Sequence, residues 1–262
     1  KLLLTSGDYG LNRLSLDPPA SGVSGELRLG APHEIGHYSG LGGISVDRKS
    51  ETVALVSGRE VQVLDLETMR ERLRFEADSP NPLAELSADG RWCAASGTSA
   101  SAVRVLEVST GKLIASLPVN RVSWLAFSSD NQWLVSCGLG DYRFWRTASW
   151  TCACSLQVQN TLSENWGRAA FSPDGRMAAI AYSAQLIRLV DPATGNEFAT
   201  LEPPQPQNIS SFAFSPDGGL LAVTTSTKAI QLWDLRLLRN ELAAMNLDWD
   251  LRPGEAHSRS GL

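Results

Sequence analysis

Ser172-Pro173-Asp174-Gly175-Arg176-Met177-Ala178-Ala179-Ile180-Ala181 decides the fold, because its opening turn returns along the chain. Ser215-Pro216-Asp217-Gly218 repeats it, Ser87-Ala88-Asp89-Gly90 and Ser128-Ser129-Asp130-Asn131 loosen it, and Val46-Asp47-Arg48 is its most decayed form. The turn aspartates lie 42, 41, 44 and 43 residues apart. A fixed period in the low forties is what a four-stranded propeller blade consumes per repeat.

Each period divides into four short strands. One blade reads as 122–127, 133–137, 142–145 and 152–158, and the next as 169–171, 177–182, 186–190 and 197–201. Thr110-Gly111 and Thr194-Gly195 mark turns, where Gly accepts a left-handed backbone without a Cβ clash. The second strand of each blade is rich in small residues, as in Ala94-Ala95-Ser96-Gly97 and Ala178-Ala179-Ile180-Ala181. Blades converge toward an axis, and small side chains suit that taper. The Gly, Ser and β-branched content of these runs and their bounding turns exclude helix. Trp92 and Trp133 open second strands and are expected in the core.

Third strands end at matched positions: Leu16-Asp17, Leu64-Asp65, Leu106-Glu107, Trp145-Arg146, Val190-Asp191 and Trp233-Asp234. That makes six repeats. Ile230-Gln231-Leu232-Trp233-Asp234-Leu235, with the Ser-Pro-Asp-Gly turns and the Gly36-His37 pair, resembles the WD-repeat β-propeller family. The resemblance covers residues 1 to about 235. It implies a blade network of His, Ser, turn Asp and Trp, but only His37 is available and its own blade has Leu64 at the Trp position. No blade therefore carries the full set, and packing with strand ladders is expected to hold the blades.

The expected fold is all-β: about six four-stranded antiparallel blades over 1–235, the first lacking its inner strand. A short amphipathic helix over 236–250 is expected to dock on the propeller, followed by a disordered tail over 251–262. The missing inner strand follows from aligning Lys1-Leu2-Leu3-Leu4-Thr5-Ser6-Gly7 with Arg91-Trp92-Cys93-Ala94-Ala95-Ser96-Gly97, which sits directly after a turn. The alignment predicts a Ser-x-Asp-Gly turn upstream of Lys1. The helix rests on Leu235, Leu238, Leu242, Met245 and Trp249, an apolar stripe at steps of three and four. Asn246-Leu247-Asp248-Trp249-Asp250 resembles the C-terminal end of large bacterial signalling proteins, many of which carry a Ser/Thr kinase domain ahead of their WD repeats.

The bulk numbers narrow the partners. Apolar residues make up 43% of the 262, charged residues 19%, and the formal charge is −5. No basic run tracks phosphates, so nucleic acid is not expected. No apolar run reaches the ~18 residues of a membrane span. Four cysteines are too few for a disulfide scaffold of this size; Cys93 and Cys137 lie in apolar strands, and Cys152 and Cys154 share a face and are not expected to bridge.

Catalytic motifs fail on inspection. Val108-Ser109-Thr110-Gly111-Lys112 lacks the phosphate-loop glycine, since that position is Leu106. Gly40-Leu41-Gly42-Gly43 opens no helix. His33 and His37 have zinc-like spacing only on a helix, which Pro32 and Gly36 oppose, and His257 lies in the tail. No nucleophile elbow or kinase signature is present. The sequence predicts no catalytic residues, no cofactor and no metal. Any kinase activity would belong to a segment outside this chain.

Recognition remains. Propeller loops stand on rigid strands, and aromatic and Arg residues dominate interface hot spots. Trp166, in the connection 159–167, and Tyr38, Arg121, Trp124, Asp141 and Tyr142, in or beside connections toward the same rim, are the expected protein-binding residues. The expected function is a non-catalytic protein-interaction or sensing scaffold, with a cytoplasmic location. A channel enzyme of hydrolase type and a purely structural spacer are the alternatives.

Overall fold

The structure, a computed structural model, describes residues 2–7, 10–17, 28–36, 41–79, 82–97, 99–138, 140–158, 168–203 and 207–246. Blade 1 holds β1 (Leu2–Gly7), β2 (Gly10–Asp17), β3 (Arg28–Leu29) and β4 (His33–Gly36). Blade 2 holds β5 (Leu41–Val46), β6 (Thr52–Ser57), β7 (Glu60–Asp65) and β8 (Glu71–Glu76). Blade 3 holds β9 (Leu83–Leu86), β10 (Trp92–Ser96), β11 (Ala102–Glu107) and β12 (Leu113–Pro118). Blade 4 holds β13 (Trp124–Phe127), β14 (Trp133–Cys137), β15 (Asp141–Arg146) and β16 (Thr151–Gln157). Blade 5 holds β17 (Ala169–Phe171), β18 (Ala178–Ala181), β19 (Ile187–Val190) and β20 (Glu197–Leu201). Blade 6 holds β21 (Ile209–Phe214), β22 (Leu220–Thr225) and β23 (Ile230–Asp234), followed by helix α1 (Leu235–Ala244).

Blades 2 to 5 are four-stranded meanders paired in sequence order, and blade 6 has three strands. In blade 1, β1 pairs β2, and β3 and β4 share the other edge of β2 in succession. β1 thus holds a second-strand place, as its alignment with β10 predicts.

Second strands alternate their burial between neighbours. In blade 2, Val53 and Leu55 pack with Leu11 of blade 1, whereas Ala54 and Val56 pack with Leu86 and Cys93 of blade 3. In blade 5, Ala178 and Ile180 join Phe144 of blade 4, while Ala179 and Ala181 join Phe212 and Leu221 of blade 6. Burial on both faces explains why these strands read as continuous apolar runs. The far face of blade 6 differs: Ile230 is 68% and Leu232 67% exposed.

The repeated turn is one hydrogen-bond device. Ser87 Oγ donates to Asp89 Oδ1 (2.6 Å) and accepts from the Trp92 N–H (2.9 Å), while Asp89 Oδ1 accepts from the Arg91 N–H (3.0 Å). The same three bonds recur at Ser128, Ser172 and Ser215. The fourth turn residue, Gly90, Asn131, Gly175 or Gly218, has positive φ. Blade 2 corrects the sequence register. Asp47 does not match Asp89; it occupies the serine place, because its Oδ1 accepts from Thr52 N–H (3.1 Å), five residues on, and from Glu51 N–H (2.8 Å). One carboxylate does the work of the Ser–Asp pair, and Ser50 takes the left-handed position (φ 59°).

Between third and fourth strands the four complete blades share a bulge that the sequence reading missed. It falls between Val63 and Leu64, Val105 and Leu106, Phe144 and Trp145, and Leu189 and Val190. An extra residue there strengthens local twist. The following turn places Met69, Gly111, Trp150 or Gly195 at positive φ, four residues after Asp65, Glu107, Arg146 or Asp191. At the same point in blade 6 the chain turns helical instead. Asp234 Oδ1 caps α1 by accepting from Arg236 N–H (3.0 Å) and Leu237 N–H (2.9 Å). The residue four places on is Leu238, which packs with Leu242 on the blade 5–blade 6 core, while Met245 is exposed. Trp249 lies outside the described residues.

Trp133 is buried as expected, but Trp92 is only half-buried, its ring under the Arg91 guanidinium (4.2 Å) and edge-on to Trp150 (5.7 Å). All four cysteines are free: Cys93 and Cys137 are buried and Cys152 is exposed. His33 lies in β4, and among the described residues no three His, Cys, Asp or Glu side chains gather as a metal site. Among them, too, no helix is long and apolar enough to cross a membrane.

Candidate functional site

Inner strands run toward the serine turns, so the opposite rim carries their N-terminal ends and the connections between second and third strands. Arg121, Trp124, Asp141 and Tyr142 all fall there, on blade 4. Trp166 and Tyr38 lie outside the described residues.

Arg121 is exposed and holds a left-handed backbone (φ 54°). Long side chains rarely adopt that region, and doing so costs on the order of 1 kcal/mol. Gly138 makes the neighbouring connection possible: a Cβ there would stand 2.7 Å from both the Asn120 carbonyl and Asp141 Oδ1. Asp141 is buried and its carboxylate pairs with Arg143 Nε at 2.7 Å. A second nitrogen of Arg143 donates to the Pro118 carbonyl (2.7 Å), tying blade 4 to the end of blade 3.

Tyr142 is 1% exposed, wedged between blades 4 and 5. Its hydroxyl donates to the Ala181 carbonyl (2.8 Å) and accepts from the Arg168 N–H (3.2 Å). It supports the rim from beneath rather than presenting its ring. Trp124 is half-buried and donates through Nε1 to the Ala169 carbonyl (3.1 Å). Burial pushes the Tyr142 phenol and the Cys137 thiol well above their ordinary ranges, so both stay protonated at neutral pH and neither is a nucleophile.

The residue the sequence reading missed is Arg168. Its guanidinium lies 4.4 Å over the Trp124 ring and its Nε donates to the Ser210 carbonyl (3.0 Å). One side chain thus spans the inner strands of blades 4, 5 and 6. Among the described residues it has no carboxylate partner. The available signal was position: Arg168 is a lone charge at the head of the apolar strand Ala169–Phe171. The arrangement offers a planar cation stacked on an indole, on the same rim as exposed Arg121. Such a surface suits recognition, since stacked Arg and Trp combine apolar area with directed donors.

A buried side-chain hydrogen bond lies below this rim. Trp145 Nε1 donates to Ser136 Oγ (2.9 Å), both buried, with no His in the pair.

The comparisons agree with this geometry. The family model described as WD domain, G-beta repeat matches residues 111–146 and 195–234. Each match runs from the fourth strand of one blade through the third strand of the next, ending on Trp145-Arg146 or Trp233-Asp234. Together with the six sheets, these matches support a WD-repeat β-propeller. No curated protein matches the chain. Among solved structures, one described as "KlHsv2 with loop 6CD replaced by a Gly-Ser linker" superposes with a TM-score of 0.67 at 17% identity. The alignment covers 89% of this chain and 74% of that one. At that identity the likeness concerns the fold alone.

Proposed function

We propose that this chain is a non-catalytic scaffold that captures a protein or peptide partner on the rim of Arg121, Trp124 and Arg168. Asp141 and Tyr142 brace that rim from within, and Trp166 and Tyr38 are proposed as further partner contacts from their place in the sequence. WD-repeat propellers are generally interaction scaffolds, and the two family matches support that class of function. The observation that carries the reading is the Arg168–Trp124 stack, a half-buried cation on an indole, braced from three blades and lacking an internal counter-ion among the described residues. We further propose that the module serves a larger, cytoplasmic, bacterial signalling protein, a reading that rests on the sequence of residues 246–250.

Trp166→Ala tests the interaction reading. It should weaken partner capture by about 2 kcal/mol, close to thirtyfold, with the melting temperature nearly unchanged. A loss of about 3 kcal/mol or more in fold stability with unaltered binding would place Trp166 in the core instead.

A further inference from the structure

The opposite mouth of the channel carries a second feature. Where the inner strands meet the serine turns they line an open recess of about 360 Å³. That lies within the ~300–1,000 Å³ of small-ligand pockets. The residue just before the turn is Phe127 in blade 4, Phe171 in blade 5 and Phe214 in blade 6, and all three rings line the recess, half-buried.

One residue breaks the ring's chemistry. Two places before the turn's first residue, blades 2, 4, 5 and 6 carry Ser45, Ala126, Ala170 and Ala213, while blade 3 carries Glu85. Glu85 lines the same recess. Its carboxylate accepts the Ser45 hydroxyl, and burial raises its ionisation to about pH 8. Ser45 Oγ also accepts the Leu86 N–H (3.0 Å), so the pair is fixed in place. The groups facing Glu85 are few. From β10 comes the Cys93 thiol, pushed up to about 12 by burial and the nearby carboxylate, and therefore neutral. The turn after β5 contributes Arg48, exposed at the recess's edge. From β13 come Ala126 and Phe127, without charge. Among the described residues Glu85 has no ion-pair partner.

We propose that this turn-side mouth binds a single ammonium group, the side chain of a lysine, with Glu85 as its counter-ion and the three phenyl rings around its alkyl chain. An uncharged apolar side chain would offer the half-buried Glu85 carboxyl no charge to pair with, and an anion would meet Glu85 with only exposed Arg48 in its favour. A cation pairs with the Glu85 carboxylate and suits a recess lined by aromatic rings. Pairing draws the proton off Glu85, so binding is linked to pH. Below about pH 8 affinity rises roughly tenfold per pH unit, then levels until the lysine amine itself deprotonates near ~10.4.

The test is calorimetric titration of the whole chain with acetyl-Gly-Lys-Gly-amide, and with the same peptide carrying norleucine or glutamate for lysine. Lysine should bind at least tenfold tighter than either. Glu85→Gln and Glu85→Ala should both erase that preference, and Arg48→Ala should preserve it. Glu85→Ala installs the residue of blades 4, 5 and 6, so it should melt no lower than the parent; a folded variant keeps the comparison meaningful. Equal affinity for norleucine, preference for glutamate, unchanged lysine binding in Glu85→Gln, or no binding of the lysine peptide at about 10 mM would each overturn the proposal.

Discussion

Replacing Asp47 by Ser and by Ala separates the two jobs of its carboxylate. In the other four turns a serine Oγ takes the N–H five residues on, as at Ser87 and Trp92. Asp47→Ser should recover that bond to the Thr52 N–H and lose only the one from Glu51 N–H, whose residue is exposed and rehydrates. It also removes Asp47 Oδ2, a buried oxygen without a hydrogen-bond partner. The net change should be within about 0.5 kcal/mol. Asp47→Ala instead orphans the N–H of Thr52, a residue 1% exposed, at about 2 kcal/mol. For 262 residues, 1 kcal/mol is roughly 2 °C of melting temperature, so the Ala variant should melt about 4 °C below the Ser variant. Calorimetry gives the melting temperatures, and amide hydrogen exchange at Thr52 localises the loss. If the Ser variant melts as low as the Ala variant, Asp47 is not standing in for the repeat serine.

Three further outcomes follow from the packing. Tyr142→Phe leaves the Ala181 carbonyl and Arg168 N–H without their shared partner and should cost about 1–2 kcal/mol; an unchanged melt would show the hydroxyl to be idle. Gly175→Ala forces a Cβ at φ 70° into the Asp130 carboxylate and should cost about 2 kcal/mol or more, whereas Gly43→Ala meets nothing within 4 Å and should be near neutral by the same thermal unfolding. Glu85 makes stability fall with rising pH, because its folded-state carboxyl ionises well above the unfolded value. Its contribution is full below about pH 4.3 and lost as pH rises through about 8, by a few kcal/mol at most since the group is partly exposed. Denaturant melts of Glu85→Ala across that range should lack this slope, and a slope equal to the parent's would refute the assignment.

The period was legible because the turn needs particular atoms: a serine Oγ, an aspartate carboxylate and a residue tolerant of positive φ recur wherever the device recurs. The register of blade 2 was not, because a single aspartate supplies both acceptors and sequence spacing alone aligns it with the wrong member of the pair. Strand ends such as Trp145-Arg146 and Val190-Asp191 were visible, yet the bulge beside them was not, since any side chain can occupy it. Tyr142 looked like a rim residue by position, and only the closeness of blades 4 and 5 buries it. Arg168 and Glu85 escaped notice for a shared reason. Each is a lone charge in or at the head of an apolar strand, and its meaning depends on neighbours some forty residues away, Trp124 for one and Ser45 for the other.

Site-specific photocrosslinking measures the central claim most directly. A crosslinking side chain would replace Arg121 on the proposed rim, Lys112 in the turn after β11, or Ile230 on the exposed face of blade 6, each within the whole chain and in the presence of its natural partners. The rim account predicts one discrete protein adduct from position 121, abolished by Arg168→Ala, and none from 112 or 230. Adducts from 112 or 230 with none from 121 would contradict it.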